Sequence, residues 1–287
     1  MGLSIITADE RMKERRGVKL LVVGSYGVGK TSLLRTVPDP SKVLFLDLEA
    51  GNLAVQDVAV DELRPQTWQE CRDLACFIAG PNENAKATDL YGQKHYDACV
   101  EKFGSADALD KYETLFIDSI TVAGRLCFAW CEQQPESFNA KGEKDTRGAY
   151  GLHGRQMIQW ITRLQQARTR NVVFCCLLNE DQDDFGRKTW SVQIEGSKTG
   201  REMPGIVDEV ITLAMIRPDE GEPYRAFVTA PENEWGFPAK DRSGRLGPME
   251  PPHLGKLFAK INDSAVQEGS REETTSRTAT TLQQKAA

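Results

Sequence analysis

The sequence predicts an α/β protein with a mostly parallel central sheet. Four continuous apolar runs rich in β-branched residues are typical of strands buried on both faces. They are residues 18–23, 43–48, 114–117 and 171–178. Segments with helical apolar spacing lie between these runs, and such alternation of strands and helices gives a parallel sheet with right-handed crossovers. The 287 residues, 40% of them hydrophobic, suffice for a sizeable core.

Apolar side chains that recur on one face predict the helices. The helical segments are residues 31–36, 67–79, 120–134 and 154–170. Residues 207–216 and 224–229 are expected as later strands, with an antiparallel edge as one arrangement. Residues 80–111 are polar and interrupt the alternation, so an insertion with short helices is expected there.

Three segments follow from composition. A main domain is predicted over residues 17–262, preceded by an N-terminal segment at 1–16. Residues 263–287 have almost no large apolar side chains and are expected to form a disordered tail, because they bury too little surface to offset the ordering entropy. No apolar run approaches the roughly 18 residues of a membrane span, and the start lacks the apolar core of a secretory signal. We expect a cytoplasmic protein with no membrane partner.

Cysteine usage and net charge narrow the possible classes of site and function further. The seven cysteines form no C-x-x-C pair, and none of the three histidines stands at zinc-finger spacing from a cysteine. Reduced thiols and no zinc site are therefore expected. The net charge of −6 argues against a protein that coats nucleic acid by bulk charge, although a local basic loop can still bind a strand.

The strongest motif is GSYGVGKT at residues 24–31, which fits G-x-x-x-x-G-K-[ST] at every fixed position. Glycines allow successive backbone N–H groups to surround a phosphate, and the following helix adds its positive end. Lys30 then reaches the β and γ phosphates, and the Thr31 hydroxyl ligates Mg²⁺. The predicted nucleotide-binding residues are Gly24, Ser25, Tyr26, Gly27, Val28, Gly29, Lys30, Thr31 and Ser32.

Polar residues end three of the apolar runs. Asp118 follows a hydrophobic strand, which is where P-loop proteins hold Mg²⁺. Glu49 ends another strand and is predicted to activate water, with Asp47 as the competing residue. Asn179 is predicted to sense the γ-phosphate. For each of these residues the alternative is an ordinary solvated strand end, since the carboxyl ends of parallel strands open toward solvent as well as toward ligands.

The order of these motifs resembles the RecA-like ATPase core: a P-loop, a strand ending in Glu49, a hydrophobic strand ending in Asp118, and a strand ending in an amide. With MPGIVDEV at residues 203–210 and AKDRSG at 239–244, the chain is similar to phage-type AAA/RecA-like ATP-binding proteins. That group includes core-only single-strand annealing ATPases of bacteriophages. The resemblance covers residues 18–261.

The resemblance implies a RecA-like P-loop core with ATP and Mg²⁺, a catalytic Glu49, and a homo-oligomer. In that oligomer Lys240 and Arg242 would reach the nucleotide of a neighbouring subunit, whereas the alternative is a solvated basic turn. The loops expected to contact DNA match residues 134–150 and 181–204, where basic residues accompany aromatic ones. The candidate DNA-binding residues are Lys141, Lys144, Arg147, Arg187, Lys188, Lys198 and Arg201.

Two functions remain open at this point. The first is an ATPase that binds single-stranded DNA in recombination or annealing, which the motif order favours. The second is a P-loop kinase or an ATP-driven protein switch, which the acidic net charge and the mixed-sign loops favour.

Overall fold

Six parallel strands form the centre of the sheet, and the strands at residues 19–24, 43–47 and 114–118 are buried along their whole length. The computed structural model describes residues 5–14, 16–182, 185–186 and 188–262, except the side chains of residues 197 and 198. The spatial order of the six is β3–β2–β4–β5–β1–β7. Their bounds are β1 Lys19–Gly24, β2 Val43–Asp47, β3 Asp61–Leu63, β4 Thr114–Asp118, β5 Asn171–Gln182 and β7 Glu209–Ile216. The predicted mostly parallel α/β sheet is confirmed.

Antiparallel strands extend the sheet beyond β7 and at the end of β5. They are β6 Lys188–Val192 on β5, β8 Tyr224–Val228 and β9 Lys240–Asp241 on β7, and β10 Met249–Glu250 on β8. Of the two later strands predicted from sequence, only β8 is antiparallel, since β7 runs parallel to β1.

Helices cover both faces of the sheet. They are α1 Ala8–Lys13, α2 Trp68–Ala79, α3 Gln93–Phe103, α4 Ile120–Cys131, α5 Thr146–Gln165, α6 Ser197–Ile206 and α7 Leu254–Asn262. One apolar core joins α2, α4 and α5 to the sheet and contains the Trp68 and Trp160 rings at 5.7 Å. A second core on the opposite face contains Leu33, Leu34 and the apolar side of α7.

Two helices have other bounds than predicted: α4 ends at Cys131 rather than at residue 134, and α5 spans Thr146–Gln165 rather than 154–170. The helix after the P-loop has the predicted bounds, Thr31–Thr36, but it is a six-residue 3₁₀ helix and too short for a helix dipole to bind phosphate strongly. Residues 134–150 and 181–204 are not structureless loops: the first contains the start of α5, and the second contains β6 and most of α6. Residues 80–111 contain α3 and a 3₁₀ turn, in line with the expected short helices.

Two expectations concern segments at the margins of the description. The tail at residues 263–287 lies outside the described residues. Within the described part of the chain, no helix combines the length and apolar character needed to cross a membrane.

Candidate nucleotide site

The P-loop follows β1 directly and turns at two glycines. Gly27 and Gly29 have φ angles of +70° and +99°, which disfavour residues with a Cβ atom. The buried Lys30 ammonium donates to the backbone oxygens of Gly24 at 2.9 Å and Ser25 at 3.0 Å. These bonds hold the lysine inside its own loop, at the place where a phosphate oxygen would be an alternative acceptor. The geometry of the predicted phosphate loop is therefore present.

Asp118 at the end of β4 meets Thr31 at the end of the P-loop. The Thr31 hydroxyl donates to Asp118 Oδ2 at 2.5 Å, although 87 positions separate the two residues. Burial, the largest cause, raises the pKa of Asp118 to about 6; Glu49 and Asp47 raise it further, whereas Thr31 and Lys30 lower it. A hydroxyl and a buried carboxylate are oxygen donors of the kind that Mg²⁺ binds.

Glu49 lies beside this pair. Its carboxylate accepts a hydrogen bond from the Ser119 hydroxyl, which joins the loop after β2 to the residue after Asp118. The strands β2 and β4 place Asp47 level with Asp118, and the Leu48 amide donates to the Asp118 carbonyl at 2.8 Å. Glu49 is therefore held over the same edge of the sheet as the P-loop.

Asp47 turns out to shape the site as well. Its Oδ1 accepts from the Glu49 amide at 3.0 Å and from the Gly51 amide at 3.4 Å, which fixes the turn that carries Glu49. Its Oδ2 is buried without a hydrogen-bond partner among the described residues. Burial raises the pKa of Asp47. A buried oxygen with an unused lone pair, close to Asp118, adds to the acidic character of the site.

Arg225 is a site residue that the sequence analysis missed. It lies on β8 and extends to the P-loop, where Nη1 is 3.5 Å from the Val28 carbonyl oxygen. A Cβ built on Gly29 would lie 2.3 Å from the same nitrogen, but the end of the arginine side chain can move, so the φ angle of +99° is what favours glycine here. The contact joins residues 197 positions apart, and no local sequence signal indicates it.

The sequence suggested that Asn179 ends its strand, but the strand continues to Gln182. Asn179 pairs with Ser191 of β6 and donates through Nδ2 to Asp181 at 2.8 Å. Leu177, two residues earlier, is level with Gly24 of β1. Asn179 thus lies just beyond the level at which the P-loop starts. Its side chain lines a cavity of about 730 Å³.

Residues from both predicted DNA-contacting stretches line that same cavity. Tyr150 comes from the first stretch, and Trp190 and Arg201 come from the second. The contacts of Gly124 with His153 and of Phe128 with Tyr150 show that α4 and α5 run antiparallel. The turn between these helices is therefore at the end of the pair remote from Ser119.

The predicted DNA-binding cations have different surroundings. Lys141, Lys144 and Arg147 are exposed and make no ion pair with a carboxylate among the described residues. Lys188 is paired with Glu180 at 2.5 Å. Arg187 and the side chain of Lys198 lie outside the described residues.

Lys240 and Arg242 are not at the P-loop. Lys240 lies in β9, and Arg242 directly follows this strand. Strand β9 pairs with the first residues of β7, at the amino edge of the parallel strands, whereas the P-loop leaves the carboxyl edge. Lys240 Nζ donates to the carbonyl oxygens of Pro204 and Val207, each at 2.8 Å. Arg242 pairs with Asp208 at 3.1 Å. The Lys240 ammonium is already bound to carbonyls of its own chain. In this conformation it is therefore neither solvated nor free to reach the nucleotide of a neighbouring subunit.

Two solved structures are similar to part of this chain. Comparison with curated proteins gave no match. A type III secretion system ATPase of pathogenic bacteria is 16% identical, with 69% of this chain and 51% of that chain covered and a TM-score of 0.36. This chain thus spans about half the length of that ATPase. The RadB recombinase is 15% identical, with 75% and 80% covered and a TM-score of 0.34.

The family assignment comes from the sequence match that covers most of the chain. Residues 16–243 match the AAA domain family. The matched range contains the P-loop, the Thr31–Asp118 pair and Glu49, so the motif, the geometry and the family coincide in the same residues. The chain belongs to the AAA domain family, and its P-loop motif lies within the matched residues.

Proposed function

We propose that this RecA-like protein hydrolyses ATP with Mg²⁺ and acts on single-stranded DNA in recombination or annealing. The observation that carries the hydrolysis is the meeting of Lys30, the Thr31–Asp118 pair and Glu49 at one edge of the sheet. Lys30 and Thr31 come from the P-loop, Glu49 from the loop after β2 and Asp118 from the end of β4. Charged groups from distant segments that cluster at one edge of a sheet are typical of a functional site.

Each residue has a role that its position supports. The P-loop amides bind the triphosphate, and Lys30 exchanges the carbonyls of Gly24 and Ser25 for phosphate oxygens. Mg²⁺, bound by Thr31 and Asp118, would neutralise charge on the β and γ phosphates. Glu49, oriented by Ser119, accepts the proton of the attacking water.

Arg225 supplies a further positive charge at the loop. It lies against Val28 and has no carboxylate partner among the described ion pairs. An unpaired guanidinium at the rim of a phosphate site attracts an anionic ligand and lowers the energy of its developing charge. In this proposal Arg225 contacts the nucleotide bound by its own chain.

The DNA part of the proposal rests on the cavity beside Asn179. Single strands bind where aromatic faces stack on bases and cations meet phosphates. Tyr150 and Trp190 provide such faces at the cavity, and Arg201 provides a cation. Lys141, Lys144 and Arg147 are exposed in the stretch that leads to Tyr150, and we propose that they contact phosphates of the same strand.

Asn179 connects the two ligands in this account. Its strand runs beside the P-loop strand, and its side chain lines the cavity while bonded to Asp181. A change at the γ-phosphate would alter this end of β5 and, through β6, the cavity wall. Asn179→Ala should therefore uncouple hydrolysis from DNA.

The test is ATP hydrolysis with and without a single-stranded homopolymer. We expect stimulation that falls as salt rises, because phosphate contacts release counterions. Replacing Lys141, Lys144 and Arg147 together by alanine should remove the stimulation and keep basal hydrolysis. The matched control replaces three exposed lysines elsewhere: Lys86, Lys94 and Lys256.

Two outcomes would contradict the DNA assignment. Equal stimulation in both triple variants would place DNA elsewhere, and no stimulation with transfer of phosphate to a small molecule would favour a P-loop kinase. Light scattering with ATP and the homopolymer tests the homo-oligomer that the RecA-like proposal includes. A monomer under all conditions would remove that part.

A further inference from the structure

Far from the P-loop, α2 and α3 bring together a second cluster of chemically active side chains. Cys76 of α2 and His95 and Cys99 of α3 place their sulfur and nitrogen donor atoms within 4.8 Å of one another. Both cysteines are buried, with exposed fractions of 0% and 2%. Asp73, one turn before Cys76, has Oδ1 3.0 Å from His95 Nε2.

The spacing explains why four such residues meet. Asp73 and Cys76 are three residues apart on α2, and His95 and Cys99 are four apart on α3, so each pair lies on one face of its helix. The two faces are turned toward each other. No zinc site was expected from the sequence, because zinc-finger spacing was the pattern considered. Ligands that lie on two packed helices do not show that spacing.

We propose that Cys76, Cys99 and His95 bind Zn²⁺, with a water as the fourth ligand and Asp73 holding the histidine. Thiolate and imidazole donors select zinc over magnesium or calcium. Ligand atoms about 2.3 Å from a tetrahedral zinc lie about 3.8 Å apart, so donors within 4.8 Å need to close by about 1 Å at most.

The surroundings of His95 set the ligand atom. Nε2 faces the Asp73 carboxylate, the arrangement in which a zinc-bound histidine donates its other N–H to an acid. Nδ1, which accepts from the Tyr91 amide at 3.1 Å, is then the nitrogen that binds the metal in place of that amide. Lys102 also contacts Asp73, at 2.9 Å, and keeps the carboxylate in position.

The metal would fasten α3 to the rest of the fold. Cys99 is the one buried residue of the eleven-residue helix, and Tyr96 and Val100 are partly buried against the core. Short helices of this length are marginal without tertiary contacts. Besides the contacts with Asp73, the Phe77 and Phe103 rings meet at 5.3 Å. Zinc binding adds folding free energy at this joint.

The experiment measures metal in the full chain, purified with any affinity tag removed. We expect about one zinc per protein, and cobalt substitution should give the visible absorption of a tetrahedral thiolate site. Cys76→Ser and Cys99→Ser should each lose the metal on dialysis, and Asp73→Asn should weaken zinc binding about 10- to 100-fold.

Cys71→Ser is the matched control, because Cys71 is equally buried on the same helix but outside the cluster. It should retain full zinc content. Absence of zinc, together with no tetrahedral spectrum after cobalt addition to the reduced wild-type protein, would overturn the proposal. So would equal zinc loss in Cys71→Ser and Cys99→Ser. The zinc and cobalt measurements need only the wild-type protein, so they can overturn the proposal even where a variant folds poorly.

Discussion

The two edges of the parallel sheet treat charged side chains in opposite ways. At the amino edge, Lys19 donates to the carbonyls of Gly17 and Arg170, and Lys240 donates to two further carbonyls. At the carboxyl edge, Asp47, Glu49 and Asp118 accumulate, and none of them has a cation partner among the described ion pairs.

The difference separates structure from function. Buried charges that are fully hydrogen-bonded fix the position of a chain segment, whereas unpaired carboxylates cost stability unless a ligand compensates for them. The charges at the amino edge have partners in the protein itself. The carboxylates at the carboxyl edge accept hydrogen bonds from neutral hydroxyl and amide groups, and in the proposed function a metal ion with its nucleotide supplies the positive charge.

The largest effect is expected at Glu49. Glu49→Gln should lower kcat for ATP hydrolysis about 100- to 10,000-fold, because it removes the base while keeping the size of the side chain. Binding of ATP should stay within a few-fold of wild type. Glu132→Gln, an exposed change after α4, is the control and should leave kcat unaltered. A similar kcat for Glu49→Gln and the control would remove Glu49 from the mechanism.

The ionised carboxylate of Asp118 is expected to lower the free energy of unfolding. Its pKa is raised to about 6 from 3.8, so the folded state binds the extra proton and stability falls as pH rises from about 4 to 6. Without metal or nucleotide, Asp118→Asn should raise the free energy of unfolding at pH 8 by up to about 3 kcal/mol. At pH 4 the gain should be much smaller.

Denaturant unfolding at both pH values, in the presence of a chelator, measures this effect. Asp110→Asn, an exposed change, is the control and should show little difference between the two conditions. A loss of stability in Asp118→Asn at pH 8 that equals its loss at pH 4 would contradict the assignment of an uncompensated carboxylate.

A smaller, purely structural effect is expected at the amino edge. Lys240→Ala removes a charged donor from the carbonyls of Pro204 and Val207 and should destabilise the protein by roughly 1–3 kcal/mol. ATP hydrolysis at a temperature where the variant is folded should change little. Loss of hydrolysis that returns on mixing with a P-loop variant would instead support action of Lys240 across a subunit interface, as the family resemblance implied.

Local signals account for what the sequence could predict. β1, β2, β4 and β5 are continuous apolar runs, and the P-loop has fixed spacing, so their types and order follow from neighbouring residues. The first turns of α5 were missed because they contain Gly148 and Gly151 among polar residues. β6 was hidden in a polar stretch, and β9 and β10 are two residues long.

Contacts between distant residues were beyond the sequence. Asp118 could be assigned to the site because a hydrophobic strand precedes it, but its bond to Thr31 depends on β5 lying between β1 and β4. The place of Arg225 on the P-loop depends on β8 joining β7. The carbonyl partners of Lys240 lie more than 30 residues earlier in the chain and could not be read from the local sequence, and its action across a subunit interface stays a prediction.

Calorimetric titration of Mg²⁺ and ATP into wild type, Lys30→Ala and Glu49→Gln tests the central claim most directly. The account predicts one ATP per wild-type chain, binding weakened at least about tenfold in Lys30→Ala through loss of a charge-assisted contact, and near-normal binding in Glu49→Gln. Absence of ATP binding by the wild-type protein, or equal affinity in Lys30→Ala, would contradict the claim that this edge of the sheet is a nucleotide site.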